Sequence, residues 1–140
     1  MAAKLTLKQI VSQASLEIGI TLNPVTTVTG SQDQDIVQMG ALLNAVADEL
    51  LLDEPYRTTL GDGFWVVGSD GVPKAIPNDN DDIILFDGRL AIDGLKFRFL
   101  AAKGLEFGEQ MRDFTNRLNK LAGRVNGRVL DLDVETGRVQ

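Results

Sequence analysis

The sequence predicts a mainly α protein, a helical bundle of about four helices with a small β-hairpin insertion and an extended C-terminal arm. Apolar residues recur at three- and four-residue steps in four separate stretches. Between the second and third stretch they give way to short β-branched and aromatic runs broken by Gly and Asp. The chain of 140 residues is long enough to bury one core. We expect a helical domain over residues 1–123, with the hairpin at about 56–77, and the arm over residues 124–140.

The first two helices have recognisable ends. Thr6 and Gln9 form a capping box before the first helix. Residues 20–30 then read as an extended connection. Ser31 and Gln34 form a second capping box, and Pro55 requires the second helix to stop before it. The second helix has a wide apolar face, so we expect it to be the central helix of the core, with Leu43 and Val46 buried against the first and fourth helices.

The hairpin insertion is predicted from three short strand-like runs at 58–60, 64–67 and 72–76, separated by turns. Phe64 and Trp65 are adjacent aromatic residues in this insertion. Aromatic residues at such a place serve either core packing or subunit contact, and the sequence leaves both open.

The third helix is predicted over about 82–103, after an acidic turn at Asp79–Asp82 that favours a helix N-terminus. An EF-hand is excluded because its required Gly and Glu positions hold Ile84 and Leu90. Gly94 inside the helix suggests a kink or close helix packing.

Three basic residues recur every seven positions along the third helix, namely Arg89, Lys96 and Lys103. They indicate either a basic strip that meets a negatively charged partner or an ordinary solvated face. Together with Phe64 and Trp65 they are the candidate subunit interface.

The fourth helix is predicted over about 107–122, with a buried stripe at Met111, Phe114, Leu118 and Leu121. Asp113 and Arg117 have the spacing of a helical ion pair.

The C-terminal arm alternates in polarity around residues 129–134, so its apolar residues share one edge when the chain is extended. Such a segment can add a strand to a partner's sheet or lie in a groove. The candidate contact residues of the arm are Val129, Leu130, Leu132 and Val134.

Composition argues against catalysis. The chain contains no Cys and no His, which removes thiolate chemistry and the commonest general base and metal ligand. Its carboxylates are too abundant for any pair of them to be informative, and Gly61-Asp62-Gly63 lacks the features of a phosphate loop. We therefore predict no enzyme, no cofactor and no metal site. Apolar runs are too short for a membrane span, and the N-terminus lacks the apolar stretch of a signal peptide.

Three stretches together resemble the head–tail adaptor (connector) proteins of tailed bacteriophages, particularly the small adaptors below the portal ring. The first is an opening helix over 5–20 that ends in an Ile-Gly step, and the second runs from Gly30-Ser31-x-Asp33 to Glu49-Leu50. The third extends from Ile84 through Gly94-Leu95-Lys96-Phe97-Arg98-Phe99 to Phe107. The resemblance covers most of residues 5–120; Asp53-Glu54-Pro55-Tyr56 replaces the family's aromatic-rich segment.

The resemblance implies a structural virion protein. Copies form a roughly twelvefold ring under the portal, joining it to the tail and extending the DNA channel. The implied partners are other copies of the chain, the portal protein, reached by the C-terminal arm, and a downstream tail or nozzle protein. The implied location is the head–tail junction of a virion made in the host cytoplasm. A net charge of −6 fits a channel through which DNA must slide without sticking. The alternative is a small helical nucleic-acid-binding regulatory domain, for which only the third helix carries suitable basic residues.

Overall fold

A computed structural model describes residues 4–21, 23–53, 56–125 and 128–129. Helices make up most of its secondary structure, so the mainly α class holds in this coarse sense. The helices are α1 Leu7–Glu17, α2 Gln34–Leu50, α3 Tyr56–Thr59, α4 Gly88–Ala102 and α5 Gly108–Leu121. The strands are β1 Leu5–Thr6, β2 Val66–Val67, β3 Pro73–Lys74, β4 Ile83–Ile84, β5 Arg124–Val125 and β6 Arg128–Val129.

Helix α4, not α2, is the central element, because it packs against α1, α2 and α5. The expectation that α2 is the central helix was therefore wrong; α2 packs chiefly on α4 and α1. Leu43 and Val46 are fully buried, as predicted. Val46 also lies close to α5, the predicted fourth helix, because its methyl group and the Phe114 ring both approach Gly94. Ala91 and Gly94 of α4 are both buried, and Gly94 lets neighbouring helices approach closely.

The strands of the insertion belong to a four-stranded antiparallel sheet in the order β1-β4-β2-β3. The pair β2–β3 is the predicted hairpin, with Val66 opposite Lys74. Strand β4 was predicted as helix, but the β-branched pair Ile83-Ile84 lies between β1 and β2 instead. The predicted strand at 58–60 is also wrong, since α3 occupies most of it.

Helix starts are governed by side-chain caps. The Thr6–Gln9 capping box of α1 is present in full. The cap of α2 is Asp33 rather than Ser31, because the Asp33 carboxylate accepts the Asp35 N–H at 2.9 Å. Helix α4 begins at Gly88, later than the predicted start at about residue 82, because Asp87 caps it. The Asp87 carboxylate accepts the Leu90 N–H at 3.0 Å.

The acidic turn at 79–82 is not a helix N-terminus, contrary to the prediction. Asp82 is 1% exposed, and one of its carboxylate oxygens accepts the N–H groups of Asn78 at 2.8 Å and Asp79 at 3.0 Å. Its other oxygen pairs with the Lys74 ammonium at 2.8 Å. The turn therefore folds around a buried carboxylate and leads into β4.

Helix α5 buries only part of the predicted stripe. Phe114 and Leu118 are buried, whereas Met111 is 46% and Leu121 40% exposed. The Arg117 guanidinium lies 3.9 Å from Asp87 and 3.8 Å from Asp93, both at the N-terminal half of α4. The C-terminal end of α5 thus lies beside the start of α4.

The arm does not start as a single extended segment, because β5 and β6 pair antiparallel with Arg124 opposite Val129. Three of the four candidate arm residues, Leu130, Leu132 and Val134, lie outside the described residues. Val129, the fourth, is the last residue of β6.

Candidate interaction surfaces

The two adjacent aromatic residues of the insertion have different environments. Trp65 is 3% exposed and stacks on Phe86 with 5.5 Å between ring centroids, whereas Phe64 is 45% exposed. Tyr56 packs edge-on against Phe86 and accepts the Asp87 N–H on its hydroxyl at 2.8 Å. Burial raises the pKa of Tyr56. In the single chain Trp65 therefore belongs to the core, and Phe64 is the aromatic residue on the surface.

Two of the three basic candidates on α4 join a charge cluster with α1. The Arg89 guanidinium makes a bidentate pair with Glu17, at 2.6 and 2.5 Å, and also contacts Asp93 at 2.9 Å. The Lys96 ammonium reaches the same Glu17 carboxylate at 2.7 Å, and its side chain is only 12% exposed. These pairs fasten the last residue of α1 to the N-terminal half of α4.

The charge cluster changes the protonation of its members. Hydrogen bonds from Arg89 and then Lys96, working against desolvation, lower the pKa of Glu17 from 4.5 to about 2. Hydrogen bonding to Glu17 also raises the pKa of Arg89. Both groups are held in their charged forms by each other.

The third basic candidate is paired as well. The Lys103 ammonium lies 3.2 Å from the Asp35 carboxylate of α2 and 5.3 Å from the centroid of the Phe99 ring. Each of the three cations of the predicted strip thus faces a carboxylate of its own chain. They form intramolecular ion pairs between helices, with Lys103 at 41% side-chain exposure the most accessible.

Apolar side chains are exposed at both ends of α4. Phe64, Val72 and Ile76 lie in or next to the β2–β3 hairpin, and we call them the hairpin patch; they are 45%, 53% and 58% exposed. The hairpin belongs to the sheet whose strand β4 leads into the start of α4. Leu105 and Met111, the turn patch, follow the other end of α4 and are 54% and 46% exposed. Except for Phe64, sequence periodicity missed both patches, because it marks apolar residues without saying which of them remain uncovered.

Two concave surfaces flank the first and last helices. A cleft of about 420 Å³ between α4 and α5 is lined mainly by charged side chains, including Arg89, Asp93 and Arg117. A groove of about 430 Å³ runs along the outer side of α1. The groove is lined by Leu5, Lys8, Gln9, Ser12, Gln13, Leu16, Pro24 and Val25. Sequence reasoning did not find it, because one wall comes from the connection after α1.

Within the described ranges there is no group of three or more His, Cys, Asp or Glu side chains placed to hold a metal ion. Among those same residues, no helix has the length and apolar character required to cross a bilayer.

Comparison with known proteins adds no assignment. No protein-family model, curated protein or solved structure matches this chain.

Proposed function

We propose that this protein is a ring-forming head–tail adaptor of a tailed bacteriophage, a structural virion component that docks under the portal and continues the DNA channel toward the tail. The proposal combines the resemblance over residues 5–120 with one structural observation, the exposed apolar patches at the two ends of α4.

The two patches suit a subunit that contacts two identical neighbours through two different surfaces. Helix α4 has 15 residues, and at 1.5 Å per residue it spans about 22 Å. The start of α4, which follows the sheet that holds the hairpin, is thus about 22 Å from the end of α4 that leads into the turn patch. A contact between unlike surfaces of identical subunits repeats from copy to copy, and it closes into a ring when the rotation permits.

The electrostatics support a DNA channel rather than a DNA-binding domain. The net charge of −6 gives an overall field that repels phosphate. A regulatory DNA-binding domain needs free cations on its recognition helix, since phosphate neutralisation supplies most of its affinity. On α4 the guanidinium of Arg89 and the ammonium groups of Lys96 and Lys103 are paired with Glu17, Asp93 and Asp35.

The direct test mixes the purified chain with the portal protein and images the product by electron microscopy. We expect rings stacked on the portal, and no retardation of duplex DNA at moderate salt. Retardation of DNA by the isolated chain would favour the regulatory-domain alternative. Failure to form rings with the portal, with the chain folded, would overturn the adaptor proposal.

Patch variants test how the ring closes. Ile76→Ser places a polar group in the hairpin patch and Met111→Ser places one in the turn patch, and each alone should prevent ring formation. Mixed together, they should give heterodimers only, because each variant keeps one intact surface. Val37→Ser is the matched control: Val37 is 51% exposed on α2 and belongs to neither patch. Rings formed by either patch variant would contradict the proposed contact.

A further inference from the structure

The β2–β3 hairpin has little apolar attachment to the rest of the fold. Among the described residues, the buried apolar core includes Val66 and Ile84 but no side chain of residues 67–83. Strand β3 lies at the edge of the sheet and pairs only with β2. It has two residues, and one of them, Pro73, has no N–H to donate. A segment with so few buried apolar contacts opens locally unless other interactions hold it.

The acidic turn that follows the hairpin is, in contrast, fixed to the first part of the chain. The Asn80 side-chain oxygen accepts two backbone N–H groups from the connection after α1. The Asp82 carbonyl accepts the N–H of Leu7, the first residue of α1. The turn therefore keeps its place independently of the hairpin, and a bond from the hairpin to this turn would hold the hairpin as well.

The Lys74 side chain of β3 makes that bond. Its ammonium group donates to the Asp82 carboxylate at 2.8 Å and to the Asn78 side-chain oxygen at 2.7 Å. The Asp82 side chain is 1% exposed, so the ion pair is largely shielded from solvent on the carboxylate side. A Cβ atom at Gly68 would lie 3.1 Å from the Cε atom of Lys74, so the glycine leaves the room that the lysine stem occupies.

We propose that the ion pair between Lys74 and Asp82 positions the hairpin, and with it the hairpin patch, for the contact with a neighbouring subunit. Val72 and Ile76 of the patch lie two residues before and after Lys74, so a displacement of β3 moves both. Lys74 and Asp82 are positioning residues, because they act through β3 and need not touch the neighbour. The inference rests on the proposed function, in which the patch is one of the two ring contacts.

The contacts of Val67 test whether the pair holds β3. Val67 lies opposite Pro73 of β3 on one side and opposite Ile83 of β4 on the other, so one residue reports both neighbours. In the full chain carrying Lys74→Met, we expect the nuclear Overhauser contact between Val67 and Pro73 to fall at least about fivefold, as for the loss of a hydrogen bond to a charged group. The contact between Val67 and Ile83 should stay.

Two further variants serve as controls. Lys74→Arg keeps the charge and should keep both contacts of Val67. Lys120→Met removes an exposed cation of α5, away from the hairpin, and should keep both as well.

A double variant guards against general unfolding. Lys74→Met alone leaves the buried Asp82 carboxylate without a counter-charge, which destabilises a fold strongly. Lys74→Met combined with Asp82→Asn removes that charge, so we expect it to keep the contact between Val67 and Ile83 and to lose the contact with Pro73. Loss of both contacts would mean that the pair supports the whole sheet, and retention of both that β3 stays in place without it. Either result overturns the proposal.

Ring formation is the second readout. The double variant should form as few rings as Ile76→Ser, whereas Lys74→Arg and Lys120→Met should form them as the wild type does. Normal rings from a double variant that has lost the contact between Val67 and Pro73 would refute the positioning role and leave the adaptor function standing. If the wild-type chain forms no rings, the adaptor function fails, and the contacts of Val67 still decide whether the pair holds the hairpin.

Discussion

Gly94 occupies a close three-helix contact in the core. A Cβ atom at this position would lie 2.8 Å from a ring carbon of Phe114 on α5 and 3.0 Å from a methyl group of Val46 on α2. Glycine costs about 1 kcal/mol in a helix interior relative to alanine. Its presence in the middle of α4 is therefore explained by packing: the missing side chain lets α2 and α5 approach α4 from two sides.

Substitution of Gly94 should consequently destabilise the protein in spite of the better helix propensity of alanine. We expect Gly94→Ala to lower the free energy of unfolding by about 1–3 kcal/mol, the usual cost of overpacking. The control is Gly108→Ala at the start of α5, where an added Cβ meets nothing within 4 Å. Chemical denaturation of both variants is the measurement, and a Gly94→Ala protein as stable as wild type would show that the helices can separate at no cost.

Substitutions of the neighbouring residues Trp65 and Phe64 should have different effects, the first on the stability of the fold and the second on ring formation. Trp65→Ala empties a buried site against Phe86, and we expect it to lower the free energy of unfolding by about 3–5 kcal/mol. Phe64→Ala removes a half-exposed ring and should leave thermal unfolding nearly unchanged while weakening ring formation. Thermal melts and native mass measurements on both variants distinguish the two roles. Equal losses of stability would place Phe64 in the core.

At the scale of elements, polar side chains hold together segments that are far apart in the sequence. The Asn80 side-chain oxygen accepts the N–H groups of Val28 at 2.7 Å and Thr29 at 3.0 Å, joining the connection after α1 to the acidic turn. The Leu7 N–H donates to the Asp82 carbonyl at 2.8 Å, which places the start of α1 beside the same turn. Glu17 holds the other end of α1 to α4.

The ion pairs between Glu17 of α1 and Arg89 and Lys96 of α4 should make the free energy of unfolding fall at acid pH. The Glu17 pKa is about 2 in the folded chain against an ordinary 4.5, so the stabilising pair is fully present above pH 4.5 and is lost as the pH falls toward 2. The pKa of Asp82 is also lowered, by Lys74 and backbone N–H groups acting against its burial, so protonation of Asp82 in acid also removes stability.

A comparison of variants isolates the contribution of Glu17. We expect Glu17→Gln to cost about 1 kcal/mol at pH 7, since the pair is partly screened by solvent. Below pH 4.5 the difference from wild type should shrink, because the unfolded chain then binds a proton at Glu17 that the folded chain takes up only near pH 2. Glu106→Gln, a change at an exposed carboxylate in the turn after α4, is the control. A constant difference between pH 7 and pH 2.5 would contradict the lowered pKa.

The longer helices were the elements that could be predicted best from the sequence, because their signals lie within a few residues of each other. Hydrophobic periodicity and capping residues are local signals. The capping box at Thr6 and the end of α5 could therefore be predicted from a few neighbouring residues. Strand β4 could not, because Ile83-Ile84 is an apolar pair compatible with either structure until β1 and β2 flank it. The pairing of Arg89 with Glu17 joins residues 72 positions apart, and no local pattern indicates it.

On the scale of the whole molecule, the buried apolar residues that the structure describes run from Leu7 to Leu118, ahead of the arm. The charges on its inner helices are paired, and its uncovered apolar side chains lie on the hairpin, on the α4–α5 turn and at a few other surface positions. The residues that stabilise the fold are thus largely different from those we propose for assembly, which is the arrangement a subunit needs if it folds first and joins a ring afterwards.

Deletion of residues 124–140 should separate these two properties. The segment follows the last buried residues of α5, so we expect the melting temperature of the truncated chain to stay within about 3 °C of wild type, or about 1 kcal/mol. The same deletion removes the segment that the resemblance assigns to the portal contact, so it should abolish docking of rings on the portal. Calorimetry and sedimentation velocity measure the two effects, with Val37→Ser as a surface control that retains the arm. A fall of 10 °C or more, about 3 kcal/mol, would mean that the arm completes the core. Normal docking on the portal by the truncated chain would mean that the arm has no part in the portal contact.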